Sequence, residues 1–129
     1  MALEALDHYT IHCADMTATR DFYRDVIGLS DGFRPDFSFP GYWLYCGEIP
    51  VVHLLDDKGA LPENRGVVPG SNTGRIDHVA FRGRDASATI ERLKEHGLAF
   101  RENQVPDLGL HQVFVRDPNG IIVEMNFRN

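Results

Sequence analysis

The strongest constraint on this chain is a phrase it writes twice. Leu6-Asp-His-Tyr-Thr-Ile-His-Cys-Ala-Asp15 is echoed by Arg75-Ile-Asp-His-Val-Ala-Phe-Arg-Gly-Arg-Asp85. Asp7-His8 returns as Asp77-His78 and Asp15 as Asp85, both at a separation of 70 (78 − 8 and 85 − 15). Each copy reads as a strand, with apolar and β-branched residues alternating with others, that runs into a helix capped by the closing aspartate. Counting by twos from His8 puts Thr10 and His12 on one face of the first strand, and Tyr9, Ile11 and Cys13 on the other.

The segments after the two copies are alike as well. Asp15 starts a predicted helix reaching about Ile27, with Phe22, Val26 and Ile27 on one stripe and Gly28 suited to a left-handed stop. Strand candidates come next at Gly32–Phe37, Tyr42–Cys46 and Pro50–Leu55, separated by Pro40-Gly41 and Gly47-Glu48. In the second copy Asp85 caps a helix with Ala86, Ile90 and Leu93 on one face, and Gly97 ends it. Strands are expected at Ala99–Val105, His111–Arg116 and Ile121–Phe127, the last two joined by the turn Arg116-Asp-Pro-Asn-Gly120. The stretch from Asp57 to Gly74, with four glycines and two prolines, reads as a linker or a lid.

The expected architecture is therefore α+β, a single domain (1–129) made of two βαβββ modules. These span 1–56 and 75–129, joined by a linker over 57–74, with paired curved mixed sheets around a central cavity. Two copies are too few, and the repeat too long, for a solenoid. At 129 residues the chain has the length of one compact domain, and 43% hydrophobic with 25% charged residues is ordinary for a soluble globular fold. A formal net charge of −6 without a basic block argues against nucleic acid. No apolar run approaches the roughly 18 residues of a membrane span, so a cytoplasmic location is expected. Cys13 and Cys46 lack zinc or redox spacing and are expected to be reduced thiols.

The ends of the two modules also align. Pro50-Val-Val-His53-Leu matches Ile121-Ile-Val-Glu124-Met at an offset of 71 (124 − 53), one loop residue more than at the start. A first-strand histidine is thus answered by a last-strand ligand-type residue in both modules: His8 with His53, and His78 with Glu124. A carboxylate between Val123 and Met125 is expensive to bury unless a cation stands opposite it. Imidazoles and one carboxylate converging on a cavity would suit a divalent transition metal: iron, nickel, zinc, cobalt or manganese.

The chain resembles the vicinal oxygen chelate superfamily, which includes glyoxalase I, bleomycin- and fosfomycin-resistance proteins, methylmalonyl-CoA epimerase and extradiol dioxygenases. The matching residues are Asp7-His8 leading into Asp21-Phe-Tyr-Arg-Asp-Val-Ile-Gly-Leu29, then Asp77-His-Val-Ala-Phe81. They close with Phe114-Val-Arg-Asp-Pro-Asn-Gly120 running into Glu124, so the resemblance covers nearly the whole chain. It implies paired βαβββ modules, a homodimer, and metal ligation by His8, His78 and Glu124. His53 occupies the place where glyoxalases have Glu and the epimerase has Gln.

The departures matter too. His12 stands where glyoxalase I has an arginine for glutathione, and Phe114 where extradiol dioxygenases have a tyrosine. If all four residues bind an octahedral ion, two positions stay open for adjacent oxygens of a small substrate, and a side chain moves the proton. If His53 does not bind, a two-histidine, one-carboxylate set remains, as in non-haem iron(II) oxygenases. Glu124, His53 and His12 are the catalytic candidates, and Thr10, Trp43, His111 and Phe114 the candidates for substrate contact. Alternate members of Phe37, Tyr42, Trp43 and Tyr45 would wall a pocket for an aromatic or hydrophobic compound. His96 is read as a partner for its helix dipole, and Asp56-Asp57 and Glu102 as a solvated surface. The rival reading is a metal-independent small-molecule binding or resistance protein of the bleomycin-resistance type.

Overall fold

The computed structural model describes residues 4–56 and 75–128. The first half runs β1 (Tyr9–Cys13), α1 (Met16–Asp21), a π-helical continuation Phe22–Ile27, β2 (Ser30–Gly32), β3 (Gly41–Cys46) and β4 (Ile49–Asp56). The second runs β5 (His78–Gly83), α2 (Ala86–Glu95), β6 (Phe100–Val105), a 3-10 turn Pro106–Leu108, β7 (Leu110–Arg116) and β8 (Ile122–Arg128). The chain divides into two compact units, Met1–Ser71 and Asn72–Asn129. Each unit holds one four-stranded mixed sheet, ordered β1-β4-β3-β2 in the first and β5-β8-β7-β6 in the second. The fold is α+β, with the βαβββ order written twice. The expected linker at 57–74 lies outside the described residues.

In both sheets the first strand lies parallel to the last, and the remaining neighbours are antiparallel. A parallel pair cannot be closed by a tight turn, so the helix provides the crossover. The Asp15 side chain accepts from the Ala18 N–H at 3.0 Å, and the Asp85 side chain from the Ala88 N–H at 3.1 Å. One residue on, the hydroxyls of Thr19 and Thr89 donate to the Asp15 and Asp85 carbonyls at 2.9 and 3.3 Å. The helix ends are marked by Gly28 at φ 93° and Gly97 at φ 66°, in the left-handed region that glycine tolerates.

Side-chain alternation separates two faces in each sheet. In the first unit Ile11, Cys13, Leu44, Val52 and Leu54 are buried on one face. Here α1 packs on β1, β3 and β4, and its continuation buries Phe22, Tyr23 and Val26. In the second unit Val113, Val115, Val123, Met125 and Phe127 form the corresponding face, and α2 packs on β7 with Leu93 fully buried. The opposite faces carry the polar and aromatic candidates, His111 excepted.

Two expectations for the first unit are corrected. The helix predicted to reach Ile27 is α-helical only to Asp21; its wider second part brings Phe22, Tyr23 and Val26 together against the sheet. The strand predicted over Gly32–Phe37 stops at Gly32. Pro35 brings no N–H to a ladder, and its carbonyl accepts from the Phe37 N–H at 2.8 Å, so the chain turns there instead. The predicted Asp-Pro-Asn-Gly turn does join β7 to β8. The Asp117 carboxylate accepts from the N–H groups of Asn119 and Ile121, both at 2.8 Å, and Gly120 sits at φ 84°. Both cysteines are free thiols. Among the described residues, no helix is long and apolar enough to cross a membrane.

Candidate functional site

In the first unit, Thr10, His53 and Trp43 lie abreast on β1, β4 and β3. Facing pairs on adjacent strands are in side-chain contact, and here that contact is a stack of rings. His53 lies 4.2 Å from Trp43 with planes 12° apart, and 3.7 Å from His8 with planes 13° apart. Phe37 and Phe39, stacked on each other at 5.2 Å, extend the aromatic surface beside Trp43. A cavity of about 520 Å³ opens against this stack, with Asp7, Thr10, Arg34 and Leu55 also in its wall. His12 falls one row further along β1, abreast of Leu55 and Gly41, with its ring nitrogens shielded from solvent.

The polar face of the second unit is built differently. Glu124, in the middle of β8, is buried between Ala80 and Phe114 on its neighbouring strands. Its Oε1 stands 3.3 Å from Nε2 of His78, and its Oε2 accepts from the Asn126 amide at 2.8 Å. The chain of bonds continues across the sheet: Gln112 donates to Asn126 at 3.2 Å, and Asn103 donates to Gln112 at 2.8 Å. An ionised carboxylate only accepts, so its need for a donor sets the direction of all three amides. Phe114 carries the Arg101 guanidinium 4.3 Å from its ring centre, at the edge of a second cavity of about 460 Å³.

The repeated Asp-His phrase has one geometry in both units. Asp7 accepts from Nδ1 of His8 at 2.6 Å, and Asp77 from Nδ1 of His78 at 2.7 Å. A carboxylate on Nδ1 fixes that nitrogen as the N–H and leaves Nε2 as the lone pair, the usual second partner of a metal-binding histidine. The Asp77 hydrogen bond raises the His78 pKa, burial opposes it, and the charges of Glu124 and Asp77 add to it. His53 shifts the other way: burial and the neighbouring His8 lower it, against a hydrogen bond to Pro50 and the charge of Asp7.

These atoms can be tested against a divalent ion. His78 Nε2 and Glu124 Oε1 suit one, because two ligand atoms at right angles, each about 2.1 Å from an ion, are about 3 Å apart. His8 suits one by its tautomer. His53 does not in this arrangement: its Nε2 is 3.0 Å from the Pro50 carbonyl, which only accepts, so that nitrogen carries the proton. Its ring also lies face to face with His8, whereas two imidazoles sharing an ion point their edges at it. Among the described residues, no group of three or more His, Cys, Asp or Glu side chains is placed to hold an ion. The four expected ligands occur as two pairs, His8 with His53 and His78 with Glu124.

His111 does not share the face of Phe114 and Glu124. It lies abreast of Phe127, and Phe114 abreast of Glu124; an odd separation along β7 turns the two to opposite sides. Its Nε2 pairs with Glu102 at 2.9 Å, so Glu102, expected to be merely solvated, has a partner. His96 bonds the Arg92 carbonyl through Nδ1 at 2.8 Å, consistent with the helix-end role expected of it. Arg34, Phe39 and the amides of Asn103, Gln112 and Asn126 were not anticipated. Asn126 was within reach, because two residues along β8 from Glu124 is the same face; Arg34 lies in irregular backbone, where no period applies.

Residues 5–125 match the model of the Glyoxalase/Bleomycin resistance protein/Dioxygenase superfamily, and the chain belongs to that family. It is 27% identical over 128 residues to "Glyoxylase I 4" of Arabidopsis thaliana, covering 95% of this chain and 70% of that protein. It is 28% identical over 127 residues to an ethylmalonyl-CoA/methylmalonyl-CoA epimerase of Cereibacter sphaeroides, covering 93% of this chain and 95% of the epimerase. TnmS3, an antibiotic binding protein from Streptomyces sp. CB03234, shares the fold with a TM-score of 0.72 at 20% identity, covering 100% of this chain and 99% of that one.

Proposed function

We propose that this protein is a metal-dependent enzyme acting on a small substrate through two adjacent oxygens, with His8, His78 and Glu124 as the protein's ligands. The observation that carries this reading is the paired Asp-His geometry, at 2.6 Å in one unit and 2.7 Å in the other. A solvated histidine has no need of such a partner twice over. Kinship with a protein named as a glyoxalase and with an epimerase supports an enzyme that moves a proton. The ring stack and the Pro50 bond of His53 favour the three-ligand set over the four-ligand one.

A bound divalent ion would supply Lewis acidity toward the substrate oxygens. The chain's own residues supply the rest. His53, its pKa lowered by burial and by His8, is suited to accept a proton at Nδ1 while Nε2 stays on Pro50. Trp43 and Thr10 bound the substrate in the first unit, and Phe114 lies beside Glu124 in the second. His12 is retained as the further acid–base candidate. A homodimer working in the cytoplasm completes the reading.

The test is metal content by mass spectrometry, on the protein as purified and after incubation with iron(II), nickel, zinc, cobalt and manganese salts. One of these is expected to bind at about one ion per chain, and His78→Ala or Glu124→Gln to weaken it about a hundredfold. Uptake of none of the five would overturn the reading. The second reading, a binding protein without chemistry, is favoured by the aromatic stack around the 520 Å³ cavity. It requires that His78→Ala leave ligand affinity unchanged.

A further inference from the structure

We propose that the cavity of the first unit binds a small organic carboxylate, with Arg34 gripping the charged end and Trp43, Phe37 and Phe39 walling the apolar body. This deepens the enzyme reading by naming a substrate class, and it rests on that reading only for what happens to the ligand once bound.

The argument begins with an unbalanced cation. Arg34 is half-buried in the cavity wall, its guanidinium 4.9 Å from the Phe37 ring centre and 5.1 Å from that of Phe39. Its Nη2 donates to the Phe39 carbonyl at 3.0 Å, while its Nε is shielded from water and has no acceptor among the described residues. Among the described residues no carboxylate lies within ion-pair distance of it. Asp36 acts on it only at longer range. Among the described residues the acid in the cavity wall is Asp7, which is taken up by His8 at 2.6 Å. A guanidinium seated beside two stacked aromatic rings has lost hydration and has no counter-charge among the described residues, and a ligand carboxylate would restore that balance through the N–H donors Arg presents.

The fold also makes room for it. A Cβ at Gly41 would sit 2.8 Å from Arg34 Nη2 and 2.5 Å from the Leu54 carbonyl, so only glycine lets the guanidinium lie where it does. Among the described residues the wall holds a single Arg and no Lys, which matches one negative charge better than a phosphate dianion. Flat aromatic walls suit a planar or hydrocarbon body.

Trp43 is the only tryptophan in the chain, so its fluorescence reports this cavity directly. The probes are 3-phenylpropanoate and its neutral amide, titrated at neutral pH with and without chelator. The acid is expected to saturate a change in Trp43 emission, and the amide to bind about tenfold more weakly. Arg34→Gln is expected to abolish that preference, and Gly41→Ala to reduce it. Equal affinity for acid and amide would overturn the proposal, and so would a preference that survives Arg34→Gln or vanishes in chelator. Should Arg34→Gln fail to fold, the acid–amide comparison on the unaltered protein still decides. A preference that persists in chelator, in a protein that takes up no metal, sinks the enzyme reading and leaves the carboxylate site standing.

Discussion

The two units share a plan on their helix-covered faces and differ on the other. Val52 and Leu54 on β4 correspond to Val123 and Met125 on β8, at the same offset of 71 that relates His53 to Glu124, and all four are buried. The opposite face is a stack of rings in one unit, His8 on His53 on Trp43, and a chain of amides in the other, Asn103 to Gln112 to Asn126 to Glu124. Packing thus holds the architecture constant while the free face diverges. The first unit has what recognises an apolar ligand. The second has what fixes a carboxylate.

If the covered faces are equivalent, equivalent substitutions in them must cost alike. Leu54→Ala and Met125→Ala each remove a buried side chain with little room for collapse, and each is expected to lower unfolding free energy by about 3 kcal/mol. Thr10→Ala, on the other face of β1, is expected to cost less than about 0.5 kcal/mol. Urea unfolding followed by circular dichroism measures all three. A loss at Leu54 several times that at Met125 would break the equivalence.

This division also explains what the sequence made legible. On β1, period-two alternation placed Thr10 and His12 opposite Ile11 and Cys13. The aspartate caps and the Asp117 turn were readable because their chemistry is local. His111 was judged by type alone; its odd spacing from Phe114 turns the two to opposite faces. His53 was taken as a ligand from its repeat position, but a position cannot say that Nε2 is held by a carbonyl three residues back. Arg34 was invisible, since it depends on an irregular loop folding over Gly41.

The amide chain offers a finer contrast. If it holds Glu124 with Oε1 toward His78, Asn126→Leu should weaken metal binding about tenfold by calorimetry, as loss of a ligand's supporting bond does. Gln112→Leu should act less, and Asn103→Ala less again, because each lies one bond further from the carboxylate. Trp43→Phe in the first unit should leave metal affinity within about twofold, because it touches His53 and no proposed ligand. Equal effects along the amide chain would show it to be surface hydrogen bonding with no hold on Glu124.

The smallest effect separates the two helix caps. Asp15 and Asp85 make the same bonds to their first turns, but from different backbones: Asp15 is extended at φ −132°, and Asp85 left-handed at φ 64°. Removing the side chain as Ala should cost about 1 kcal/mol at Asp15, for the lost acceptor. At Asp85 it should cost about 2 kcal/mol, because alanine also bears the strain of the left-handed conformation, roughly 1 kcal/mol more. Glycine loses the acceptor but not the conformation. The gap between Ala and Gly should therefore be wider at 85 than at 15 by about 1 kcal/mol. Four variants, Asp15→Ala, Asp15→Gly, Asp85→Ala and Asp85→Gly, settle it by urea unfolding. Equal gaps would mean that β5 enters its helix as β1 does, so that the left-handed backbone at Asp85 sets no difference between the units.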